Sequence, residues 1–411
     1  MLKRSLALSA AAVLGTGGVV TAVALSMATA ANAAPQSWPA HVFAPYVDTG
    51  LSNTTLTTVA ADYGTKYFEL AFVDGSGCQW NMPNSSGWQS QISSLQSEGG
   101  DVSVSFGGYT SDTNGTDLGN ACSSAAAMAT QVEGVVTTLD VSHLDFDIES
   151  NELTDSADYT RTAQALAQVE SWAGSTGRSL DISYTIPVAT TGFTQPGVSV
   201  LQAAVSNGFR PNVVNIMTMD YGSSGTEMGS AADSALDGAA GTVASVFGVS
   251  SSAAYAMLGN TPMIGQNDSP GEIFTLSDAS TVESYAASKG IAMLSFWSEG
   301  RDNGGCPGQT SASSTCSGLS QNSGAFTQAF QAFTTGGGGG STPPPTSSTP
   351  SSSPTGGNGG GGTCAAAWSN SAAYSSGNEV SYNGQNWTAN QWNYDEVPGG
   401  ASGAWNSDGA C

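Results

Sequence analysis

The sequence predicts an α/β protein, a (β/α)8 TIM barrel followed by a second, small all-β domain, and three observations lead to this fold class. Short apolar strand patterns alternate with helical patterns over about 300 residues. These strand–helix units number eight, as in a closed parallel barrel. A Gly, Ser, Thr and Pro segment at 335–363 separates them from residues 364–411, which hold four of the nine tryptophans. A doubly wound sheet is the alternative, because strand count alone does not separate the two folds.

The first 33 residues have the pattern of a secretory signal. Two basic residues, Lys3 and Arg4, precede an apolar, alanine-rich run over residues 6–30. The small residues Ala31-Asn32-Ala33 then supply a cleavage site. A membrane anchor is the alternative, but glycines interrupt the run and small residues dominate it. We therefore expect residues 1–33 to be removed and the mature chain, which begins with the barrel domain at 34–334, to be secreted.

The charge of the chain excludes several classes of partner. The sequence has 8 basic and 32 acidic residues, a net charge of −24, and loss of Lys3 and Arg4 makes the mature chain more negative still. A field of this sign repels nucleic acid and anionic membranes, so we expect neither as a partner. A neutral or cationic substrate fits the charge better. Charged residues make up only 10% of the chain, so a tight cluster of them is informative.

Six cysteines in an exported chain predict disulfide bonds. Their spacing suggests Cys78–Cys122, Cys306–Cys316 and Cys364–Cys411, although six cysteines permit fifteen pairings. Metal binding is the alternative use of cysteine. With no CxxC pair and only two histidines, His41 and His143, we expect no metal site.

Eight segments of the barrel domain have strand patterns. They are His41–Val47, Lys66–Val73, Val102–Phe106, Leu144–Ile148, Leu180–Ile186, Val213–Met219, Pro262–Gly265 and Ile291–Trp297. Helical patterns lie between them, such as Ala157–Ala173 and Thr281–Ser288, the second with Gly290 as its C-terminal stop. Catalytic residues of a barrel lie at the C-terminal ends of its strands, so polar residues there are the candidate site.

The fourth strand carries an unusual row of acids. Residues 141–149 read Val-Ser-His-Leu-Asp-Phe-Asp-Ile-Glu, so Asp145, Asp147 and Glu149 share one face and apolar residues the other. An exposed edge strand could alternate in this way, but a barrel strand has no solvent-facing side. Carboxylates about 6–7 Å apart on one face repel each other. Repulsion and desolvation should raise at least one pKa and leave a proton donor near neutral pH.

This strand resembles the D-x-x-D-x-D-x-E signature of glycoside hydrolase family 18, which includes secreted bacterial chitinases. The three terminal acids match, whereas Ser142 and His143 depart from the signature. Other segments are similar to the family in order and position, over about Trp38 to Phe333. They are Ser105-Phe106-Gly107-Gly108 for the S-x-G-G motif, Met217–Tyr221 for the methionine–tyrosine–aspartate motif, and Trp297 for the tryptophan that ends the eighth strand.

The resemblance implies a retaining mechanism in which the 2-acetamido oxygen of the substrate is the nucleophile. In this mechanism Glu149 protonates the glycosidic oxygen and later acts as base toward water. Asp147 accepts a hydrogen bond from the acetamido N–H. Asp145 shares a proton with Asp147 and so helps to keep Glu149 protonated.

The resemblance also implies substrate contacts at other strand ends. Met219 stands at the family's usual tyrosine position, so Tyr221 has to supply a hydroxyl to the acetamido carbonyl; packing at the barrel rim is its alternative role. Trp297 forms the floor under the sugar, with a core position as the alternative. Gln266 and Asp268, at the end of the predicted seventh strand, are sugar contacts, although a loop cap is an equal alternative for Asp268.

The length of one connection predicts the shape of the groove. Some family members carry an extra α/β insertion between the seventh and eighth strands. Only about 25 residues separate Gly265 from Ile291, too few for that insertion and a helix. We therefore expect an open groove that favours internal cuts.

The C-terminal segment, 364–411, resembles the chitin-binding modules of carbohydrate-binding families five and twelve. Trp392 and Tyr394 lie two residues apart and thus on one strand face, where we expect them to be exposed to sugar rings. We expect Trp368, Trp387 and Trp405 to form the small core. The alternative is a core that contains all four tryptophans.

These observations together predict a secreted endo-chitinase that cleaves β-1,4-linked N-acetylglucosamine in chitin and chito-oligosaccharides. We expect a monomer that needs no cofactor. One alternative is an endo-β-N-acetylglucosaminidase acting on glycoprotein or peptidoglycan sugars. Another is a non-catalytic chitin-binding lectin, which predicts loss of the terminal acid, whereas Glu149 is present.

Overall fold

A computed structural model describes residues 35–51, 54–334, 364–369, 373–374, 378–389, 393–394, 397–400 and 404–411. The predicted signal, 1–33, and the predicted linker, 335–363, lie outside the described residues. Among the described residues, none of the helices has the length and apolar character that crossing a bilayer requires.

A closed sheet of eight parallel strands forms the centre of the larger domain. The strands are β1 (Val42–Phe43 and Tyr46–Asp48), β2 (Tyr67–Gly75), β3 (Asp101–Gly107), β4 (His143–Asp147), β5 (Asp181–Pro187), β6 (Val213–Met217), β7 (Leu258–Thr261) and β8 (Met293–Leu294). Each strand pairs in parallel with the next along the chain.

The two segments of β1 close the sheet. Val42 pairs with Met293 of β8, and Tyr46 pairs with Glu69 of β2. Pro45 lies between the segments, where its missing N–H removes no bond from either ladder. The sheet is therefore a barrel, which confirms the predicted fold class over the doubly wound alternative.

Helices surround the barrel. They are α1 (Leu56–Tyr63), α2 (Ser85–Ser97), α3 (Tyr109–Asn114), α4 (Leu118–Ala121), α5 (Ala125–Leu139), α6 (Ser156–Thr176), α7 (Gln195–Ser206), α8 (Met228–Phe247), α9 (Ser251–Tyr255), α10 (Leu276–Lys289) and α11 (Ala325–Thr334). A capping box between Thr275 and Asp278 begins α10. The helix ends at Gly290, whose φ of 67° confirms the predicted stop.

The predicted seventh strand is wrong. Pro262–Gly265 was expected in the barrel, but Leu258–Thr261 is the strand there, and Gly265–Gln266 instead pairs antiparallel with Ile273–Phe274. The true strand reads Leu-Gly-Asn-Thr, and its two polar side chains are adjacent and therefore lie on opposite faces. Thr261 donates to Asn215 at 2.9 Å, so a buried polar layer replaces the apolar signal.

Strand β4 has the predicted alternation. Leu144, Phe146 and Ile148 lie in the apolar layer beneath the helices, where the Phe146 ring stacks on Phe106 at 4.7 Å between centroids. The acidic row therefore faces the barrel interior, as its parity requires.

All three disulfides suggested by spacing are formed: Cys78–Cys122, Cys306–Cys316 and Cys364–Cys411. The first joins the segment after β2 to the end of α4. The second closes a loop that follows β8, on the side of the barrel where the C-terminal ends of the strands lie.

The C-terminal segment is all β. Its strands are β9 (Ala373–Tyr374), β10 (Glu379–Tyr382), β11 (Gln385–Ala389), β12 (Asn393–Tyr394) and β13 (Trp405–Ala410). Strands β10, β11 and β13 form an antiparallel sheet, and β9 pairs with β12. Trp405 is buried in a small core, against which Trp368 and Trp387 pack, as predicted.

Candidate active site

The acidic row runs from the barrel interior to its mouth. Asp145 is fully buried, Asp147 is 4% exposed, and Glu149, two residues past the end of β4, is partly exposed. Solvent exposure thus increases along the row, and only the last carboxyl group, that of Glu149, meets solvent.

Asp145 is fixed by hydroxyl groups from three strands. One oxygen accepts from Tyr46 at 2.9 Å and Ser105 at 2.7 Å. The other accepts from Ser183 at 2.6 Å and Thr185 at 2.8 Å. Burial raises the pKa of Asp145, and these four bonds oppose the rise because they favour the charged form. The carboxylate is therefore an anchored, fully bonded group.

Asp147 lies one step nearer the mouth and has less support. Burial raises its pKa well above the usual range, and the charges of Glu149 and Asp145 add to the rise. Its Oδ1 is buried and has no hydrogen-bond partner. Hydroxyl donors reach both Asp145 oxygens, and the proton expected to be shared between Asp145 and Asp147 stays a prediction. Asp147 is left with an oxygen that a substrate group can reach.

Glu149 has the pKa of a proton donor at neutral pH. Burial raises its pKa to about 7, and the carboxylates of Asp220 and Asp268 contribute to the rise, while a hydrogen bond from the Tyr109 backbone N–H opposes it. The direction of this pKa supports the prediction that one acid of the row keeps its proton. Glu149 is thus repelled by these rim carboxylates as well as by Asp147 on its own strand.

Two glycines at the end of β3 bring the loops together. Gly107 and Gly108 have φ of 89° and 83°, a region that favours glycine. A Cβ at Gly107 would lie 2.4 Å from the carbonyl oxygen of Asp147, and one at Gly108 would lie 2.7 Å from the Phe72 ring. The Gly-Gly pair is therefore needed for the turn that points the Tyr109 N–H at Glu149.

An aromatic floor lies beside the acidic row. Trp297 is partly exposed at the end of β8, and its ring stacks on Phe72 with centroids 5.7 Å apart and planes 17° from parallel. The buried Tyr46 ring lies 5.9 Å from Trp297 and joins the floor to Asp145 through its hydroxyl. The sequence analysis identified Trp297 but missed Tyr46, for which interior parity on β1 was the available signal, and Phe72, which lies at an irregularity of β2 that parity does not predict.

The loops after β6 and β7, which hold Asp220 and Asp268, form another part of the rim. Asp220, with φ of 51°, accepts a bond from the Ser269 N–H at 2.7 Å. Asp268 is exposed and close enough to raise the Glu149 pKa, so it stays a candidate sugar contact. Gln266 is 8% exposed, and its carbonyl accepts from Arg301 at 2.6 Å. The Gln266 backbone thus supports the rim, and the role of its side chain as a sugar contact stays a prediction.

The prediction for Tyr221 is also corrected. Its hydroxyl is buried without a hydrogen-bond partner, its ring packs against the apolar core, and burial raises its pKa. The nearest charges are Glu272 and Asp233 rather than the acidic row. Tyr221 therefore has the rim-packing role, and Met219, partly exposed just after β6, is the side chain of this motif that remains available.

The predicted sugar platform of the C-terminal domain is not visible. Trp392 lies outside the described residues. Tyr394 contributes its backbone to β12 opposite Ala373, but its side chain lies outside the described part of the chain.

The geometry suits acid catalysis on a ring-shaped substrate. A carboxyl group with a pKa of about 7 stands at the mouth, a buried carboxyl with a free oxygen lies beneath it, and an aromatic floor adjoins both. Among the described residues, the group of acids that could hold a metal ion is Asp112, Asp117 and Glu152, behind Glu149.

A profile of glycosyl hydrolases family 18 matches residues 40–396. A probable bifunctional chitinase/lysozyme of Escherichia coli K12 is 35% identical over 321 residues, 73% of this chain and 35% of that protein. Endochitinase 11 of Metarhizium anisopliae is 33% identical over 283 residues, 65% of this chain and 53% of that protein. The chain thus spans about a third to a half of the length of these two relatives.

Solved structures agree with the family match. The catalytic domain of a hyperthermophilic chitinase from Pyrococcus furiosus is 30% identical with a TM-score of 0.67, over 75% of this chain and 99% of that one. Catalytic-site mutants of active domain 2 of the same organism's chitinase align at 29% identity with a TM-score of 0.67.

Proposed function

The chain belongs to glycosyl hydrolases family 18, and we propose from this premise that it is a chitinase that cuts within β-1,4-linked N-acetylglucosamine chains. The observation that carries the proposal is the position of Glu149: a carboxyl group with a pKa of about 7 at the mouth of the barrel, held by a backbone N–H and flanked by an aromatic floor.

Glu149 is the general acid of the proposed reaction. With a pKa near the working pH, it can donate its proton to the glycosidic oxygen as the bond breaks, and its carboxylate can then deprotonate the attacking water. The Tyr109 N–H fixes one end of the carboxyl group, so its remaining oxygen points to the leaving sugar.

Asp147 supports the substrate-assisted step. Its unpartnered oxygen is an acceptor for an acetamido N–H, and its charge would stabilise the cationic oxazolinium ring that forms when the acetamido oxygen attacks the anomeric carbon. Asp145 does not touch the sugar. It holds Asp147 in place by filling the space beneath it with a rigid, hydroxyl-bonded carboxylate.

The aromatic floor positions the sugar. Trp297 stacked on Phe72 offers a flat apolar surface at the end of β8, beside the acidic row. Sugar rings pack their C–H faces against such surfaces. The connection from β7 to β8, residues 262–292, contains only a two-residue strand pair and α10, so an added wall domain is absent there. An open groove of this kind supports internal cuts.

A lysozyme-type activity is the second candidate. The related Escherichia coli protein carries both names, chitinase and lysozyme. Peptidoglycan also contains N-acetylglucosamine and the acetamido group that the mechanism needs. The Pyrococcus furiosus structures with bound chito-oligosaccharides favour chitin as the main substrate.

The discriminating experiment compares substrates. We expect cleavage of N-acetylglucosamine hexamer at internal bonds, with products that keep the β configuration in proton NMR at early times. Peptidoglycan and N-glycans, assayed at equal sugar concentration, should react at least tenfold more slowly. Products of inverted configuration, or faster cleavage of peptidoglycan, would contradict the proposal.

We propose further that the protein is secreted and acts on insoluble chitin through residues 364–411. The apolar N-terminal segment, three disulfides and the net charge of −24 support export. The all-β fold with its small tryptophan core supports a compact binding module tethered by the 335–363 segment.

Deletion of residues 336–411 tests the tethering role. We expect the rate on insoluble chitin to fall about tenfold or more, because the catalytic domain loses its raised local concentration. The rate on soluble hexamer should change less than twofold, since α11 ends at Thr334 and the barrel stays whole. Equal losses on both substrates would contradict a tethering role.

A further inference from the structure

Four buried carboxyl groups lie behind Glu149 and have no part in the proposed reaction. Asp112 is in α3, Asp117 is the N-cap of α4, Glu152 follows Glu149 in the loop after β4, and Asp158 is in the first turn of α6. Their exposed fractions are 0%, 1%, 4% and 2%. We call this group the acidic cage.

The acidic cage lacks the hydrogen bonds that buried carboxylates need. Asp112 Oδ1, Asp117 Oδ2 and Asp158 Oδ1 are each buried and accept no N–H or O–H bond, while the carboxyl groups of Asp117 and Asp158 lie close enough to hydrogen-bond to each other when one is protonated. Arg161 is the basic side chain whose charge acts on Asp117 and Asp158, and its guanidinium donates to the Gly119 carbonyl. Burying several anions beside one cation costs several kcal/mol unless another positive group is present.

Three of the four carboxyl groups converge. One ligand atom each from Asp112, Asp117 and Glu152 lies within 4.8 Å of the others. Glu152 also accepts a bond from the Thr162 hydroxyl at 2.9 Å, which fixes its orientation toward the cage. Convergent, buried, oxygen-only donors are the ligand set of a hard cation.

We propose that the acidic cage binds one Ca²⁺ ion through Asp112, Asp117 and Glu152, with Asp158 completing the charge. Ca²⁺ lies about 2.3–2.6 Å from its oxygens, so oxygens up to about 5 Å apart can share it. Mg²⁺ keeps several waters and prefers sites with few protein ligands. The near-complete burial of these side chains leaves little room for such waters, and Ca²⁺ is therefore the ion that fits.

The prediction that the chain has no metal site considered cysteine and histidine ligands alone. The cage uses only carboxylates, which that argument did not test. Its four acids lie within 47 residues of each other but in four separate segments of the fold. No short sequence motif therefore contains them.

The bound ion would stabilise the loop that carries Glu149. Asp112 Oδ2 accepts the Glu149 backbone N–H at 2.7 Å, while its Oδ1 faces the cage. Asp117 and Glu152 belong to the segments that follow β3 and β4. One ion thus ties both loops together. This inference rests on the cage geometry and not on the proposed substrate.

Calcium titration of the mature full chain tests the proposal. Protein stripped with EDTA and dialysed at physiological ionic strength should bind one Ca²⁺ per chain by elemental analysis. The Tm should rise by about 5 °C or more when free Ca²⁺ is about 100 times Kd. Mg²⁺ at the same concentration should raise the Tm by less than half as much.

Two variants distinguish Ca²⁺ binding in the acidic cage from nonspecific Ca²⁺ binding to the acidic surface. Asp117→Asn with Asp158→Asn should remove the Tm response and the bound ion. Asp233→Asn is the matched control, because Asp233 is a half-buried carboxyl on α8 that also has an unpartnered oxygen. It should respond to Ca²⁺ like the natural chain.

Three results would overturn the inference. The first is a natural chain with no bound Ca²⁺ and an unchanged Tm, a result that does not depend on the variants folding. The second is an equal Ca²⁺ response in the double variant, which would assign the ion to the acidic surface. The third is a Tm that rises on acidification but ignores Ca²⁺, which would mean that shared protons neutralise the cage.

Discussion

Replacing Glu149 by glutamine lowers kcat on N-acetylglucosamine hexamer by about 10³-fold, because the amide cannot donate a proton to the leaving oxygen. The side chains are nearly equal in size, and the Tyr109 N–H can still bond to the amide oxygen. The loss is therefore chemical rather than structural. We expect KM to change less than threefold, since binding depends on the aromatic floor.

Chitin pull-down provides the second measurement on the same variant. Glu149→Gln should sediment with insoluble chitin as fully as the natural chain, because the binding segment is untouched. Glu98→Gln is the matched control: Glu98 is an exposed glutamate at the end of α2, and its substitution should leave kcat within twofold. Turnover by Glu149→Gln within tenfold of the natural rate would refute the assignment of Glu149 as the acid.

The acidic row was predictable because strand parity is a local property. Once residues 141–149 are known to form a buried parallel strand, alternation alone places Asp145, Asp147 and Glu149 on one face. Burial then raises their pKa values whatever surrounds them. The strand and its chemistry follow from nine consecutive residues.

Partners from distant strands could not be predicted in this way. Asp145 takes its hydrogen bonds from Tyr46, Ser105, Ser183 and Thr185, which lie up to 99 residues away. Their convergence depends on barrel register, which pairs Ser105 and Ser183 with Asp145 across neighbouring strands. The hydroxyl donors around Asp145 were therefore invisible from β4 alone.

The wrong β7 has a related cause. Apolar periodicity finds strands whose inner and outer faces are both apolar. In β7 both faces carry a polar residue: Thr261 donates to Asn215 inside the barrel, and Asn260 on the other face accepts a bond from Thr218 at 2.6 Å. The displaced strand end also changes the setting of Gln266, whose backbone carbonyl accepts a bond from Arg301.

Tyr221 shows the limit of matching residues to a motif. Asp220, which precedes Tyr221, has a positive φ. The Tyr221 hydroxyl is buried, and the charges that act on it are those of Glu272 and Asp233. A tyrosine displaced along a turn cannot be assumed to reach the same substrate atom.

Replacing Asp147 by asparagine gives the second largest expected effect, a fall in kcat of about 10²–10³-fold. The substitution keeps an oxygen for the acetamido N–H but removes the negative charge that stabilises the oxazolinium ring. We expect KM to stay within about threefold, because that charge matters only as the ring forms. The fall in kcat should be absent in Asp62→Asn, a matched control at an exposed position in α1.

Stability separates this catalytic role from a structural one. Asp147 is buried with an unpartnered oxygen, and its pKa is raised well above the usual range, so the native barrel gains nothing from its charge. The Tm of Asp147→Asn at pH 7 should therefore equal or exceed that of the natural chain. A large loss of Tm together with lost activity would mean that Asp147 holds the barrel together. A kcat within tenfold of the natural value would mean that the acetamido group reacts without Asp147. Either result would contradict the proposed role of Asp147 in the substrate-assisted step.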